Sequence, residues 1–291
     1  MNKNLHISTA SEKIVPLTWY QQLLRYPRLF IVFSFSQLVW ALFKKGLVLT
    51  AHPFFGGKMK VRLPAAKDIF IMGHKGTPPE IKLNRWMANH IKHGWTVLDI
   101  GAHYGFNTLL LHNLVGTNGH VIAFEPSPSS YSILKLNTID KSNVHSFLLG
   151  MSQQTGKQLL AQNGIEKSKN NSFYFLAKTH TILVPTTTID TWCKENACMP
   201  RFIGIDVEGW EWNVLKGAEM VLQQHPILAV SIATKHFEKL YYPLIEWLLA
   251  NGYWMYSLSA DGELLRCPDA WTELQNKRMH KDNFIFRAKR K

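Results

Sequence analysis

Apolar residues along this chain form short continuous runs that alternate with stretches in which apolar positions recur every three or four residues. Runs of strand length occur at Val97–Ile100, His120–Glu125, Val144–Met151, Phe202–Gly209, Pro226–Thr234, Trp254–Ser259 and Asn283–Arg287. Helical spacing occurs at Ile81–His93, Phe106–Leu114, Pro128–Thr138, Trp210–Val221 and Phe237–Ala250, and a short helix is expected to begin within Thr186–Trp192. Strands that alternate with helices predict a doubly wound α/β domain, with a mostly parallel sheet covered on both faces. The last two strands are expected to pair as an antiparallel ending.

A glycine turn joins the first strand to its helix. The pattern D-x-G-x-x-x-G places Asp99 before Gly101 and Gly105, with Ala102 and His103 between the glycines. A strand, a glycine turn and a helix form a nucleotide-binding unit, because the turn lets a ligand approach the backbone and the helix N-terminus offers free N–H groups. Dinucleotide sites use G-x-G-x-x-G, whose middle glycine is missing here. A carboxylate at Asp99 would also repel a pyrophosphate.

A second acid, Glu125, ends the next strand of the chain. An acid at this place can accept hydrogen bonds from both ribose hydroxyls of a nucleoside. S-adenosylmethionine carries an ammonium and a sulfonium and no phosphate, so it suits the carboxylate of Asp99. The two acids therefore indicate an S-adenosylmethionine site, with the adenine ring expected near Gly150 and Met151. The alternative is an ordinary doubly wound sheet in which both acids are merely solvated.

Residues 1–75 are predicted to be an N-terminal extension, and residues 76–291 the α/β domain. The extension holds an uncharged apolar stretch, Leu29–Phe43, followed by Lys44 and Lys45. As a helix this stretch is about 22 Å long, shorter than the ~30 Å hydrocarbon core of a bilayer. Three alternatives stay open: a helix docked on the domain, an in-plane membrane helix, or a true span. Glycine and proline between His52 and Pro79 indicate a short hairpin or linker.

The charge balance of the chain is strongly basic, with a formal net charge of +13. Such a charge suits a nucleic acid, an anionic membrane or an acidic substrate, or belongs to a solvated surface. No Lys/Arg block of the size that marks a nucleic-acid arm is visible, which argues against a nucleic-acid partner. The three cysteines, Cys193, Cys198 and Cys267, fit neither a zinc pattern nor a disulfide framework. We therefore expect reduced thiols and a cytoplasmic protein, with membrane association open.

Four segments together, LDIGAHYGFNT, VIAFEP, TTTID and GIDVEGWEWNVLKGA, resemble the FkbM-type family of S-adenosylmethionine-dependent methyltransferases. The last segment is the most specific, since most class I methyltransferases share the glycine turn. The resemblance covers residues 77–233 and implies a seven-stranded, Rossmann-like class I methyltransferase fold. It also implies O-methylation of a sugar, glycolipid or natural-product hydroxyl. By position, it assigns the cofactor to Asp99, Gly101, Ala102, Gly105 and Glu125, and it places Asp206 on the side of the methyl group.

The candidate catalytic groups follow the fourth and fifth strands. Transfer of a methyl group to a hydroxyl needs alignment and a base. Asp206 and Glu208 lie near the end of the fourth strand, on one side of an extended chain. His236, after the fifth strand, is the best histidine for a general base, whereas His103 is expected to contact the cofactor.

Three alternatives remain for the acids after the fourth strand. Glu208 and Glu211 could simply complement a helix dipole. Asp206 or Glu208 could instead orient or deprotonate the hydroxyl. The cluster could also bind a divalent cation, although no metal ion is predicted.

The acceptor pocket is expected to be walled by aromatic side chains, namely Tyr104, Trp210, Trp212 and Phe237. The predicted activity is an S-adenosylmethionine-dependent methyltransferase that acts on a small-molecule or carbohydrate acceptor. A nicotinamide oxidoreductase is disfavoured by Asp99 and by the missing middle glycine. A nucleic-acid methyltransferase and a non-catalytic binding or membrane-docking protein remain as alternatives.

Overall fold

The computed structural model describes residues 3–162, 180–232, 241–269, 272 and 281–289. Its helices are α1 (Lys3–Glu12), α2 (Trp19–Arg25), α3 (Pro27–Phe43), α4 (Lys67–Met72), α5 (Pro78–His90), α6 (Phe106–Val115), α7 (Pro128–Thr138), α8 (Ile189–Glu195), α9 (Glu211–Lys216), α10 (Glu219–Leu222) and α11 (Tyr242–Ala250). Its strands are β1 (Leu47–Ala51), β2 (Met59–Leu63), β3 (Thr96–Ile100), β4 (His120–Phe124), β5 (Val144–Phe147), β6 (Gly150–Met151), β7 (Gly156–Gln162), β8 (His180–Thr187), β9 (Phe202–Ile205), β10 (Ile227–Ile232), β11 (Tyr253–Leu258), β12 (Leu264–Arg266) and β13 (Asp282–Ala288).

Within the described residues, the main sheet has eight strands in the order β12-β11-β13-β10-β9-β3-β4-β5. The five strands from β10 to β5 are parallel, while β13 pairs antiparallel with both β10 and β11. The predicted doubly wound α/β class and the antiparallel ending are confirmed. The sheet has one strand more than the predicted seven, because a tight turn at Gly262 brings the three-residue β12 back along β11. So short a strand leaves no clear pattern in the sequence.

Strands β6, β7 and β8 form a smaller sheet in the order β6-β8-β7. The single strand predicted over Val144–Met151 is wrong. The chain leaves the main sheet after Phe147, and Gly150 and Met151 pair in parallel with Thr186 and Thr187 of β8. Strands β7 and β8 pair antiparallel, and residues 163–179 lie outside the described residues.

The single helix predicted over Trp210–Val221 is also wrong, because the chain forms two short helices, α9 and α10. The Asp190 carboxylate accepts the backbone N–H groups of Met220 and Val221, each at 2.9 Å, and so starts a new helix. A Cβ atom on Gly217 would lie 2.1 Å from the carbonyl oxygen of Ser152. Glycine therefore permits the close approach of the chain at this break.

The N-terminal extension packs on the α/β domain. Phe33 of α3 and Val61 of β2 are buried in the same apolar cluster as Leu110 of α6 and Phe202 of β9. The helix expected over Leu29–Phe43 is present, and Phe33 and Ser36 are its buried residues. Within the described ranges, no helix has both the length and the apolar character needed to cross a bilayer.

Candidate active site

The candidate site lies at one edge of the main sheet, where the parallel strands end. Gly101 follows β3, Glu125 follows β4 and Asp206 follows β9. Strand β13 runs in the opposite direction, so its first residues reach the same edge, and Lys281 immediately precedes it. In an open α/β sheet this edge is where ligands bind.

At the glycine turn after β3, the backbone passes close to the residue that follows β9. Gly101 has φ +85°, and a Cβ atom there would lie 2.2 Å from the carbonyl oxygen of Asp206. The amides of Gly101 and Ala102 donate to the carbonyl of Phe124, at 2.9 and 3.0 Å. Gly105 has φ +88° and directly precedes α6. Only glycine adopts these conformations without strain, so the turn keeps its backbone open to the cavity.

Glu125 is buried and organises the turn through both of its carboxylate oxygens. Oε2 accepts the backbone N–H of His103 at 2.8 Å, and Oε1 accepts the backbone N–H of Ser127 at 2.9 Å. Burial raises the pKa of Glu125 to about 7, against the lowering effect of these two hydrogen bonds. Each oxygen keeps a further lone pair, so the carboxylate can still accept hydrogen bonds from a ligand.

Asp99 lies within β3, two residues before Gly101 of the glycine turn. Its side chain is buried, and Oδ2 accepts a hydrogen bond from the Thr108 hydroxyl at 2.5 Å. Burial raises the pKa of Asp99 to about 6, although the Thr108 hydroxyl opposes the shift. Asp99 lines a small cavity of about 20 Å³. It does not line the larger cavity, of about 260 Å³, that lies at the glycine turn. Its immediate contact is therefore with α6, which it ties to β3.

Asp206 and Glu208 share one ammonium group, that of Lys281. Its Nζ lies 2.7 Å from Asp206 Oδ1 and 3.0 Å from Glu208 Oε1. Burial alone would raise the pKa of Asp206, but the ammonium groups of Lys281 and Lys75 outweigh it and lower the pKa to about 2. For Glu208, burial is the larger effect and raises the pKa, with Lys281 opposing it. The two neighbouring carboxylates thus differ in proton affinity.

A second lysine, Lys75, reaches the site from the segment between α4 and α5. Its Nζ lies 2.9 Å from Glu80 Oε2 and 4.0 Å from Asp206 Oδ2. Burial would lower the pKa of Lys75, but the carboxylates of Glu80 and Asp206 raise it overall. The cation therefore stays charged and helps to keep Asp206 ionised.

Glu211 supports the loop that carries Glu208. Its Oε1 accepts the backbone N–H groups of Val207 and Gly209 at 3.3 and 3.2 Å, and its Oε2 accepts the Tyr241 hydroxyl at 3.1 Å. Burial raises the pKa of Glu211 to about 7, against backbone hydrogen bonds that include the one from Gly209. Glu211 thus holds the loop conformation in which Glu208 has φ +53°.

These groups border one cavity of about 260 Å³. Residues that line it include Gly101, Ala102, His103, Tyr104, Asn107, Glu125, Asp206, Glu208, Lys75, Glu80 and Lys281. The extension contributes a wall through Ala65, Ala66 and Ile69. The buried Oδ1 of Asn107 has no hydrogen-bond partner within the described structure. The cavity therefore joins the glycine turn to the carboxylates after β9.

Other predicted site residues lie elsewhere. Gly150 and Met151 are buried in the smaller sheet and do not line the cavity. Trp210 donates from Nε1 to the Ser152 hydroxyl at 3.3 Å, and Trp212 packs edge-on against Trp247. Tyr104 does line the cavity, with its ring stacked on that of His103. His236 and Phe237 fall in residues 233–240, which lie outside the described residues.

Sequence reasoning missed both lysines and Glu80. A signal was available for Lys281, because a charged residue that begins an antiparallel last strand must lie at the edge where the parallel strands end. Lys75 and Glu80 carried no comparable signal, since they precede the first strand and belong to a loop and a helix. Their placement depends on how α4 and α5 pack.

A protein-family model, described as the methyltransferase FkbM domain, matches residues 99–255, which is more than half of the chain. The chain belongs to the FkbM methyltransferase family. The matched region begins at Asp99 and includes Glu125, Asp206 and Glu208. A search of curated proteins found no significant match.

Several solved structures are similar to this FkbM methyltransferase. An FkbM methyltransferase from Methylobacillus flagellatus is 20% identical with a TM-score of 0.43, over 66% of this chain and 43% of that one. The match thus spans less than half of that protein. Aeropyrum pernix fibrillarin, solved with natively bound S-adenosylmethionine, is 13% identical with a TM-score of 0.43, over 68% of each chain. A Thermotoga maritima S-adenosylmethionine-dependent O-methyltransferase is 13% identical with a TM-score of 0.40, over 86% of this chain and 82% of that one.

FkbM methyltransferases use S-adenosylmethionine, so the predicted cofactor is confirmed. The groups around the cavity fit this cofactor. The open glycine turn admits a ligand to the backbone, and the Glu125 carboxylate and the unpaired Oδ1 of Asn107 offer acceptors to a cationic ligand with hydroxyls. Among the described residues, no group of three or more His, Cys, Asp or Glu side chains is arranged to bind a metal ion.

Proposed function

We propose that this FkbM methyltransferase methylates a hydroxyl oxygen of a small-molecule or carbohydrate acceptor, such as a sugar, a glycolipid or a natural product. The single observation that carries the proposal is the pair of carboxylates, Asp206 and Glu208, in the same cavity as the glycine turn. A hydroxyl is a weak nucleophile that gains from a hydrogen-bond acceptor during attack. The carboxylates of Asp206 and Glu208 would accept this hydrogen bond from a substrate hydroxyl that lies beside them.

The proposed cofactor site consists of the glycine turn and Glu125. When bound, S-adenosylmethionine supplies an activated methyl group on its sulfonium. The turn residues Gly101, Ala102, His103 and Gly105 would present the backbone, and Glu125 would accept the ribose hydroxyls. Asp99 would contribute indirectly, because the hydrogen bond that it accepts from Thr108 fixes the start of α6. The roles of Gly150 and Met151 at the adenine ring stay a prediction.

The two carboxylates after β9 would have different roles. Asp206, with its pKa lowered to about 2, stays ionised and is a weak proton acceptor. We assign to Asp206 the role of orienting the acceptor hydroxyl. We also place it on the methyl-group side of the cofactor. Glu208, with its raised pKa, is the better general base and would take the hydroxyl proton as the oxygen–carbon bond forms. A contribution of His236 stays a prediction.

An acceptor screen with the full chain tests this proposal. Purified protein with methyl-labelled S-adenosylmethionine is offered sugars, glycolipids and phenolic compounds, together with matched amines. We expect label on an oxygen of one hydroxyl class, and transfer only to amines would refute O-methylation. Glu208→Gln should lower turnover by roughly 10²-fold or more while S-adenosylhomocysteine still binds. Glu219→Gln, at an exposed glutamate that pairs with Lys216, is the matched control and should retain activity.

A further inference from the structure

Helix α3 is apolar on two opposite faces, and the described structure covers only one of them. Phe33 and Ser36 are buried, and α3 packs against α4, β1 and β2. On the other side Ile31, Phe35, Leu38 and Leu42 are each more than half exposed. Their spacing of four, three and four residues places them in one line along the helix. We name these four residues the α3 outer stripe.

The neighbouring helix α2 contacts α3 and also exposes aromatic and apolar side chains. Trp19, Tyr20 and Leu24 are 64%, 55% and 64% exposed, and Phe43 at the end of α3 is 68% exposed. Monomeric water-soluble proteins rarely expose so many large apolar side chains together. A helix that is apolar all round is normally covered on every side. The exposed apolar side chains of α2 and α3 therefore indicate a binding surface.

The charge of the same segment identifies the kind of surface that it fits. Residues 13–67 contain no aspartate or glutamate. They contain nine cations: Lys13, Arg25, Arg28, Lys44, Lys45, Lys58, Lys60, Arg62 and Lys67. Arg28 lies in the first turn of α3, and Lys44 and Lys45 follow its last residue. Apolar side chains between cations, with tryptophan and tyrosine beside them, suit the interface of an anionic bilayer.

We propose that this face of the extension docks the enzyme on an anionic membrane surface. The inner face of α3 stays packed on α4, β1 and β2, and the α3 outer stripe enters the boundary between head groups and acyl chains. The flanking cations lie at the level of the lipid phosphates. The inference does not depend on the identity of the methyl acceptor.

Vesicle co-sedimentation of the full chain tests the proposal. One vesicle preparation contains phosphatidylcholine with phosphatidylglycerol, and the other contains phosphatidylcholine alone. We expect binding to the anionic vesicles that weakens as sodium chloride is added, and much weaker binding to the neutral ones. The double variant Phe35→Ser/Leu42→Ser should reduce the partition coefficient roughly tenfold or more. The control Met199→Ser/Met220→Ser removes two equally exposed apolar side chains outside the extension and should bind normally.

A second pair of variants tests the charge. Lys44→Glu/Lys45→Glu should weaken binding to anionic vesicles roughly tenfold or more. Lys92→Glu/Lys194→Glu changes the net charge equally at exposed positions outside the extension and should have a small effect. Every variant should keep the thermal shift that S-adenosylhomocysteine gives the parent protein, so that loss of folding is separated from loss of docking.

Three results would overturn the proposal. The first is an absence of binding to anionic vesicles at low salt. The second is an equal loss of binding in a test variant and its matched control. The third is a lipid-independent dimer that Phe35→Ser/Leu42→Ser abolishes while vesicle binding is unchanged, because the stripe would then be a contact between two copies of the chain.

Discussion

The ammonium of Lys281 lies 2.7 Å from the carboxylate of Asp206, although 75 residues separate them along the chain. The contact exists because β13 begins at the edge of the sheet where β9 ends. It keeps Asp206 ionised and also reaches Glu208 at 3.0 Å. Lys281 therefore lowers the pKa of both carboxylates, against the opposing effect of burial.

Removal of Lys281 should therefore change the pH dependence of the enzyme. Without this ammonium the pKa of Asp206 should rise above about 2, because burial is then less strongly opposed. The pKa of Glu208 should rise further for the same reason. In Lys281→Met, the acidic limb of the pH profile of kcat/KM should move to higher pH, and turnover at neutral pH should fall by roughly tenfold or more. Lys281→Arg should restore part of the activity. Lys216→Met, at a half-buried lysine that pairs with Glu219 and does not line the cavity, is the control, and identical profiles for both methionine variants would contradict the prediction.

Gly101 should tolerate no side chain. In Gly101→Ala the new Cβ meets the Asp206 carbonyl at 2.2 Å in a residue with φ +85°. We expect a loss of roughly 2–5 kcal/mol in the free energy of unfolding, together with weaker binding of S-adenosylhomocysteine. Gly57→Ala has a similar φ, +81°, with no atom within 4 Å, and should lose only about 1 kcal/mol from backbone strain. Urea unfolding and calorimetric titration measure both quantities, and equal losses in the two variants would contradict a steric role.

Thr108 should stabilise the fold through Asp99. In Thr108→Val the buried carboxylate loses its hydroxyl partner at 2.5 Å, so its pKa should rise above about 6. We expect a loss of roughly 1–3 kcal/mol in the free energy of unfolding near neutral pH. Thr108→Ser keeps the hydroxyl and should retain most of the stability. If the serine and valine variants unfold alike, the hydrogen bond is not the cause.

Glu125 should support cofactor binding through both carboxylate oxygens. In Glu125→Gln, one oxygen is replaced by an NH₂ group that faces the backbone N–H of His103 or Ser127, donor against donor. We expect the affinity for S-adenosylhomocysteine to fall roughly tenfold or more. Titration calorimetry measures the affinity, with Glu219→Gln as the control. An unchanged affinity in a folded Glu125→Gln protein would remove Glu125 from the proposed cofactor site.

Glu211 should make the stability of the protein fall as the pH rises. Its folded pKa of about 7 lies above its ordinary value of 4.5, because the side chain is buried. Between these pH values the folded state keeps the proton that the unfolded state has lost. Its stabilising contribution is therefore complete below pH 4.5 and is lost as the pH rises through about 7.

The variant Glu211→Gln tests this pH dependence. The amide can still accept the backbone N–H groups of the loop and donate to the Tyr241 hydroxyl, so the fold should persist. Urea unfolding at about pH 5 and about pH 8 should show a drop in the parent protein that exceeds the drop in the variant by up to about 3 kcal/mol. Equal drops would show that other groups cause the pH dependence.

The sequence by itself determined the parts of the molecule that depend on neighbouring residues. Alternation of apolar runs with helical spacing was enough to predict the α/β class, and the glycines at 101 and 105 were enough to predict the turn. Asp99, Glu125 and Asp206 could be brought to one edge because parallel strands end on the same side of a sheet. The family resemblance rested on these same local segments.

The tertiary structure alone decided the contacts between segments that lie far apart in the chain. It separated Asp99, which binds Thr108 within the sheet, from Glu125 and Asp206, which border the cavity. It moved Met151 into a second sheet, because pairing with β8 replaced the continuation of β5. It brought Lys281 to Asp206 through the antiparallel direction of β13. Charge, burial and strand pairing act between residues that sequence spacing does not relate, so the protonation of the site could be known only from the folded chain.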